Sequence, residues 1–250
     1  MNEVEIEQFI RNDFETKYLC FMGVQTFPQY EIKFDLLNPN FFSGNTSVPS
    51  ASANYNIHED KHDLIIRIDV TKCLDVLYHE FTHILDYGNY VRGQDINNLG
   101  LNGFSEYHAT QVELQYLLGM SHVWDCNMKY SMDQSVLGFE SLSSYLSNKL
   151  DIIKELFSCK AIYKDVRLLG MAIGTVFNLL GAVSICKNFC FDYDMNIENQ
   201  LEKAIDNDTV FSKFKVFFPV MIGRLDESEI MKCVELYVFS FIDLFRRASI

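Results

Sequence analysis

Histidines at positions 79 and 83 flank a glutamate in the run Tyr78-His79-Glu80-Phe81-Thr82-His83. On a helix, residues four apart share a face, so both imidazoles can grip one metal ion with the Glu80 carboxylate beside it. The flanking residues keep helical period. Leu74, Leu77, Phe81, Ile84 and Leu85 make an apolar stripe, while Val76, His79, His83 and Asp86 fall roughly opposite. A helix packed by one face and open to a cleft by the other suits a hydrolytic zinc centre, where water must still reach the ion. Glu80 is then the group placed to hold and deprotonate that water.

Catalytic zinc usually takes a third protein ligand. Glu106 is the candidate, with Asp86 and His108 as competitors. Ser105 reads as the N-cap of a second helix that runs to Leu118 and is closed by Gly119. On it, Glu106, Thr110, Glu113 and Leu117 share a face, and Ala109 is small enough to let two helices approach. Glu106 would ligate, and Glu113 would orient a histidine from behind, unless it belongs to a solvated acidic face. Tyr107, His108 and His122 are candidates to donate a hydrogen bond to a developing oxyanion.

His79-Glu80-x-x-His83, followed after a Gly- and Asn-rich loop by Glu106-x-x-Ala109, resembles the gluzincin metallopeptidases and is most similar to the ImmA/IrrE-type proteins. The resemblance covers about residues 50–118. It implies a compact zincin-like domain, zinc held by His79, His83 and Glu106, and Glu80 as general base. It also implies an intracellular peptidase acting on a protein substrate such as a transcriptional repressor. The loop between the second histidine and the glutamate is longer than gluzincins usually carry, and the C-terminal half lies outside the resemblance. The alternative is a non-catalytic protein-binding module whose metal site is structural or vestigial. Retention of Glu80 argues for catalysis, because a structural site needs no base beside its ligands.

Elements able to position these residues can be read around them. Ala53–His58 and Leu64–Asp69 alternate as two strands of a hairpin, joined by the charged turn 59–63. Residues 64–68 are the expected edge strand along the cleft, to which an extended peptide would add. His58 and His62, among acidic neighbours on the turn, read as solvated. Val4–Leu19 has the pattern of an amphipathic helix, Gln25–Leu37 is extended around Pro28, and the segment from Asn38 to Ser52 is rich in loop residues. The expected fold is α+β, with a zincin-like domain at 1–127 and an all-α region at 128–250. Helical periodicity marks Val136–Phe157, Ala161–Cys186, Ile197–Ala204, Val210–Ile222 and Glu227–Arg246.

Within the second of these, Leu168 to Cys186 is uncharged between Arg167 and Lys187. With Asn178 at its centre it reads as a buried core helix; the alternative is a single membrane span anchoring the chain. A formal charge of −13 opposes direct nucleic-acid binding but is compatible with a protein or peptide substrate of basic surface. Seven scattered cysteines and an acidic N-terminal stretch point to buried thiols in a reducing cytoplasm.

Overall fold

The computed structural model describes residues 2–35, 50–56, 58–91, 95–205, 214 and 227–247. Its class is α+β, a small sheet in a mostly helical chain. Helix α1 (Glu3–Gln8) opens with a capping box, in which the Asn2 side chain accepts from Glu5 N and the Glu5 carboxylate accepts from Asn2 N. A π-helical stretch (Phe9–Phe14) carries it without a break into α2 (Glu15–Met22). Ile6, Ile10, Phe14, Tyr18 and Phe21 are the buried residues of this length, so one nearly continuous stripe faces the core. Gly23, at φ 66°, ends it in a left-handed cap that a side chain would strain.

Strands β1 (Tyr30–Phe34), β2 (Ala51–Asn56) and β3 (Lys61–Ile66) form a sheet of order β1-β3-β2. β1 runs parallel to β3 in the register Tyr30 to His62, and β2 runs antiparallel to it with Ala53 opposite Leu64. The expected hairpin is present, but residues 64–68 are not its edge. The part of them that is strand, Leu64–Ile66, lies in the central β3, because the extended segment after Pro28 adds on its far side. β2 is the strand that borders the cleft. Ser52, expected in the preceding loop, already belongs to β2, while residues 38–49 of that loop lie outside the described residues. His62 also departs from expectation. As a strand residue it is buried, its ring tilted against that of Tyr55 with centroids 4.7 Å apart, while His58 is exposed.

Helix α3 (Leu74–Tyr90) carries the two histidines. It buries Leu77, Phe81, Ile84 and Leu85 as the periodicity requires. Phe81 is clasped by Phe14, Tyr18, Phe27 and Tyr30, stacking on Phe27 with centroids 4.8 Å apart. Thr82 donates to Tyr78 O at 2.8 Å, and its Oγ1 lies 3.0 Å from the Tyr18 hydroxyl, which ties the rotation of α3 to the N-terminal helix.

Helix α4 (Asp95–Leu117) begins ten residues before the expected cap. Its Gly- and Asn-rich start is not a loop. A Cβ at Gly100 would collide with the Val234 side chain, and one at Gly103 would lie 2.5 Å from Tyr237 Cδ2 and 3.0 Å from Phe177. These glycines serve close helix packing. Ser105 is therefore a buried residue inside α4 and caps nothing.

After Gly119 the chain reaches a tight bridge of Val136 to Phe139 and then α5 (Leu142–Ser158), which a Ser141/Ser144 capping box starts later than periodicity suggested. A 3₁₀ turn (Lys160–Lys164) leads to α6 (Val166–Phe189), whose N-cap Asp165 accepts from Arg167 N at 2.8 Å and Leu168 N at 3.3 Å. α7 (Ile197–Ile205) and α8 (Glu227–Arg247) complete the described residues; the helix expected at Val210–Ile222 falls almost wholly outside them. Among the described residues α6 is long and apolar enough to cross a membrane, and 72% of its most apolar window is buried inside the protein. It packs on α4 and α5, and α8 packs on α4. One hydrophobic core runs from Ile6 to Leu244, so the helices after residue 128 continue the packing around the histidine-bearing pair. The cysteines are free thiols: Cys186, Cys190 and Cys233 are buried, Cys73 is partly buried, and Cys20, Cys126 and Cys159 are exposed.

Candidate metal centre

A cleft of about 920 Å³ opens between β2, α3, α4, α6 and α8. At its floor, ligand atoms of His79, His83 and Glu106 lie within 4.8 Å of one another, a group able to hold a metal ion. Glu106 Oε2 is 3.6 Å from His79 Nε2 and 3.9 Å from His83 Nε2. Tetrahedral zinc with bonds near 2.0–2.2 Å sets its ligand atoms about 3.4 Å apart, so a small inward adjustment closes these three on one ion. Spacing on α3 and α4 produces this convergence: one helical turn separates the histidines, and the parallel faces of the two helices bring the carboxylate opposite.

Each of these three side chains has partners behind it. His79 Nδ1 lies 2.8 Å from Glu113 Oε2, so its N–H donates to that carboxylate. His83 Nδ1 lies 2.7 Å from Ser105 Oγ, and Ser105 donates in turn to Asp86 Oδ2 at 3.1 Å. Both bonds place a proton on Nδ1 and turn Nε2 toward Glu106. Glu106 is faced from α6 by the Asn178 amide, which favours its charged form, while Asn178 Oδ1 accepts from Thr110 Oγ1 at 2.7 Å. Gly174, also on α6, leaves room for the carboxylate; a Cβ there would stand 3.6 Å from Glu106 Cγ.

Asp86 and His108 do not join this group. They face each other, His108 Nδ1 to Asp86 Oδ1 at 2.9 Å, buried behind His83. The expected oxyanion donors are also displaced. Tyr107 is buried in the α4–α6 contact, where its carbonyl abuts Gly181, His108 is engaged by Asp86, and His122 is exposed beyond α4. None of the three lines the cleft, because each projects from a side of α4, or from the chain after it, that the cleft does not touch. Polar groups that do line it include Tyr87, Asn102, Asn178 and Tyr237.

Glu80 stands beside the three ligands, and its Oε2 accepts the Ala53 N–H of β2 at 2.6 Å. Burial lifts this carboxyl to about 7, against the pull of His79 and the Ala53 N–H, with Glu106 and Glu113 adding to the rise. A base poised near neutrality suits proton transfer. Burial works to raise Glu106 too, but His83, His79 and the Asn178 amide bring it down to about 2. Burial keeps His83 neutral by pushing it to about 4. Burial likewise opposes charge on His79, yet hydrogen bonds to Glu106 and Glu113 hold it at about 10. Two acidic partners thus keep a positive charge between His79 and Glu106, the place where a divalent cation would bind and release that proton.

Sequence reasoning missed Asn178 and the role of Ser105. The signal for Asn178 was its position at the centre of the most apolar helix, since a polar side chain there must find a partner. Compared with known protein families, curated proteins and solved structures, the chain matches none of them.

Proposed function

We propose that the chain is a zinc-dependent peptidase of the gluzincin type, most similar to the ImmA/IrrE proteins, with its catalytic centre in a zincin-like arrangement of β2, α3 and α4. The observation that carries this reading is the convergence of His79, His83 and Glu106 in an open cleft with Glu80 beside them. Two imidazoles, neutral once a metal displaces the His79 proton, and one carboxylate form the donor set typical of hydrolytic zinc, and three protein ligands leave a position that a structural site would close. Zinc, when bound, supplies a Lewis acid that polarises a carbonyl and acidifies water.

Glu80 takes the proton from the attacking water and delivers it to the leaving amine. The Ala53 N–H fixes that carboxylate on the cleft side of α3. An extended substrate adds to the outer edge of β2, which supplies main-chain hydrogen bonds independent of sequence. Tyr237, whose oxygen accepts from Asn102 Nδ2 at 3.3 Å, has its own proton to offer a developing oxyanion. The substrate is an intracellular protein, and a charge of −13 favours one with a basic surface, such as a DNA-binding repressor. A cytoplasmic location accords with the burial of α6, which then serves as a core helix.

The test is Glu80→Gln, assayed on a peptide library read by mass spectrometry. The variant keeps its zinc and loses about 10²–10⁴-fold in cleavage rate. Unchanged cleavage would defeat the mechanism, and a parent that binds zinc but cleaves nothing would favour a binding module with a structural metal.

A further inference from the structure

The chain between residues 128 and 250 lies outside the resemblance, yet it supplies a side chain to the metal centre. On α6, Asn178 lies at the centre of an uncharged, largely apolar run and is only partly buried, where it borders the cleft. Its amide faces α4: Oδ1 accepts from Thr110 Oγ1 at 2.7 Å, which leaves the NH₂ end for the side of the cleft where Glu106 lies, one turn from Thr110. A carboxylate and a hydroxyl one turn apart on α4 therefore face one amide on α6. The neighbouring turns allow no slack. Gly181 lies against the Tyr107 carbonyl, where a Cβ would collide with backbone and stand 3.3 Å from Thr110 Cβ. Gly174 faces the Glu106 side chain at ordinary van der Waals distance. Spacing between α6 and α4 is thus set by backbone on one side of Asn178 and by the ligand itself on the other.

We infer that Asn178 is the positioning residue for the third metal ligand, and that the helical half is a built part of the metal centre through α6. This rests on the zinc site proposed above. Without the amide, Glu106 loses the donor that fixes its carboxylate plane, and the two histidines alone direct it. Partners of this kind typically contribute 10–100-fold in metal affinity.

The experiment compares the full-length parent with Asn178→Leu, Thr110→Val and Glu106→Ala. Zinc affinity is measured by chelator competition, cobalt(II) absorption reports coordination, and urea denaturation of the metal-free chains reports folding. Asn178→Leu should bind zinc roughly 10–100-fold more weakly, with a cobalt spectrum displaced toward that of Glu106→Ala. Thr110→Val, which is nearly isosteric and removes only the outer hydroxyl, should shift affinity in the same direction by less. The inference is overturned if Asn178→Leu loses stability while zinc affinity and cobalt spectrum stay at the parental values. If Asn178→Leu does not fold, an unshifted affinity in Thr110→Val overturns it. A parent that binds no zinc removes both this inference and the reading beneath it, whereas zinc lost in Glu106→Ala but retained in Asn178→Leu leaves the peptidase reading standing.

Discussion

Truncating Glu113 is the most informative way to perturb the centre without touching a ligand. Its Oε2 lies 2.8 Å from His79 Nδ1, and the carboxylate is largely buried with 13% of its side chain exposed. Water therefore cannot easily replace it. Hydrogen bonds to charged groups contribute roughly 1.5–3 kcal/mol. At about 1.4 kcal/mol per decade, Glu113→Ala should weaken zinc binding by roughly 10–100-fold, because His79 can then adopt the tautomer that turns its lone pair away from the site. Glu113→Gln keeps an oxygen acceptor and loses only the charge, so its loss should be smaller, on the order of 3–10-fold. Both constants come from competition against a fluorescent chelator at fixed pH near neutrality. An alanine variant within about twofold of the parent would refute the reasoning, since the bond to His79 would then have no bearing on its ligating nitrogen.

Two further predictions concern the scaffold. Alanine in place of a helical glycine normally stabilises by about 1 kcal/mol, but at Gly103 the added methyl meets Tyr237 Cδ2 at 2.5 Å and Phe177 at 3.0 Å, both rings being fully buried. Overpacking of about 1–3 kcal/mol should reverse the sign, and a urea midpoint that rises would contradict the close packing of α4 on α6 and α8. Burial holds His62 below the usual imidazole range, against the raising influence of Asp60 and Asp63. A depressed folded-state value means that stability is complete above the unfolded value of about 6.5 and declines as pH falls below it. His62→Gln should flatten that decline in urea titrations, and an identical pH dependence in the variant would exclude His62 as its source.

The convergence of His79, His83 and Glu106 was the most legible feature of this sequence because its signal is local. One helical turn relates His79 to His83, and one face of a second helix carries Glu106 and Glu113, so helical period alone places them. Features decided by distant packing were not legible. Gly100 and Gly103 carry the local signature of a loop, and only the presence of Val234, Tyr237 and Phe177 across the interface turns them into helix residues. The edge strand was misplaced for a similar reason: a hairpin does not reveal which of its strands a third will join, and β1 joined β3. His62 was read from its acidic neighbours in sequence, whereas its burial comes from Tyr55 across the sheet. Asn178 shows the converse, a polar residue whose place in an apolar run indicates that a partner exists without saying which.

The central claim is that His79, His83 and Glu106 together bind one zinc ion. Metal content by mass spectrometry, on parent, His79→Ala and Glu106→Ala purified without added metal, tests it directly. About one zinc per chain in the parent, lost from both variants, is the predicted result. No zinc in the parent and none taken up on titration, or zinc retained in full by Glu106→Ala, would contradict it.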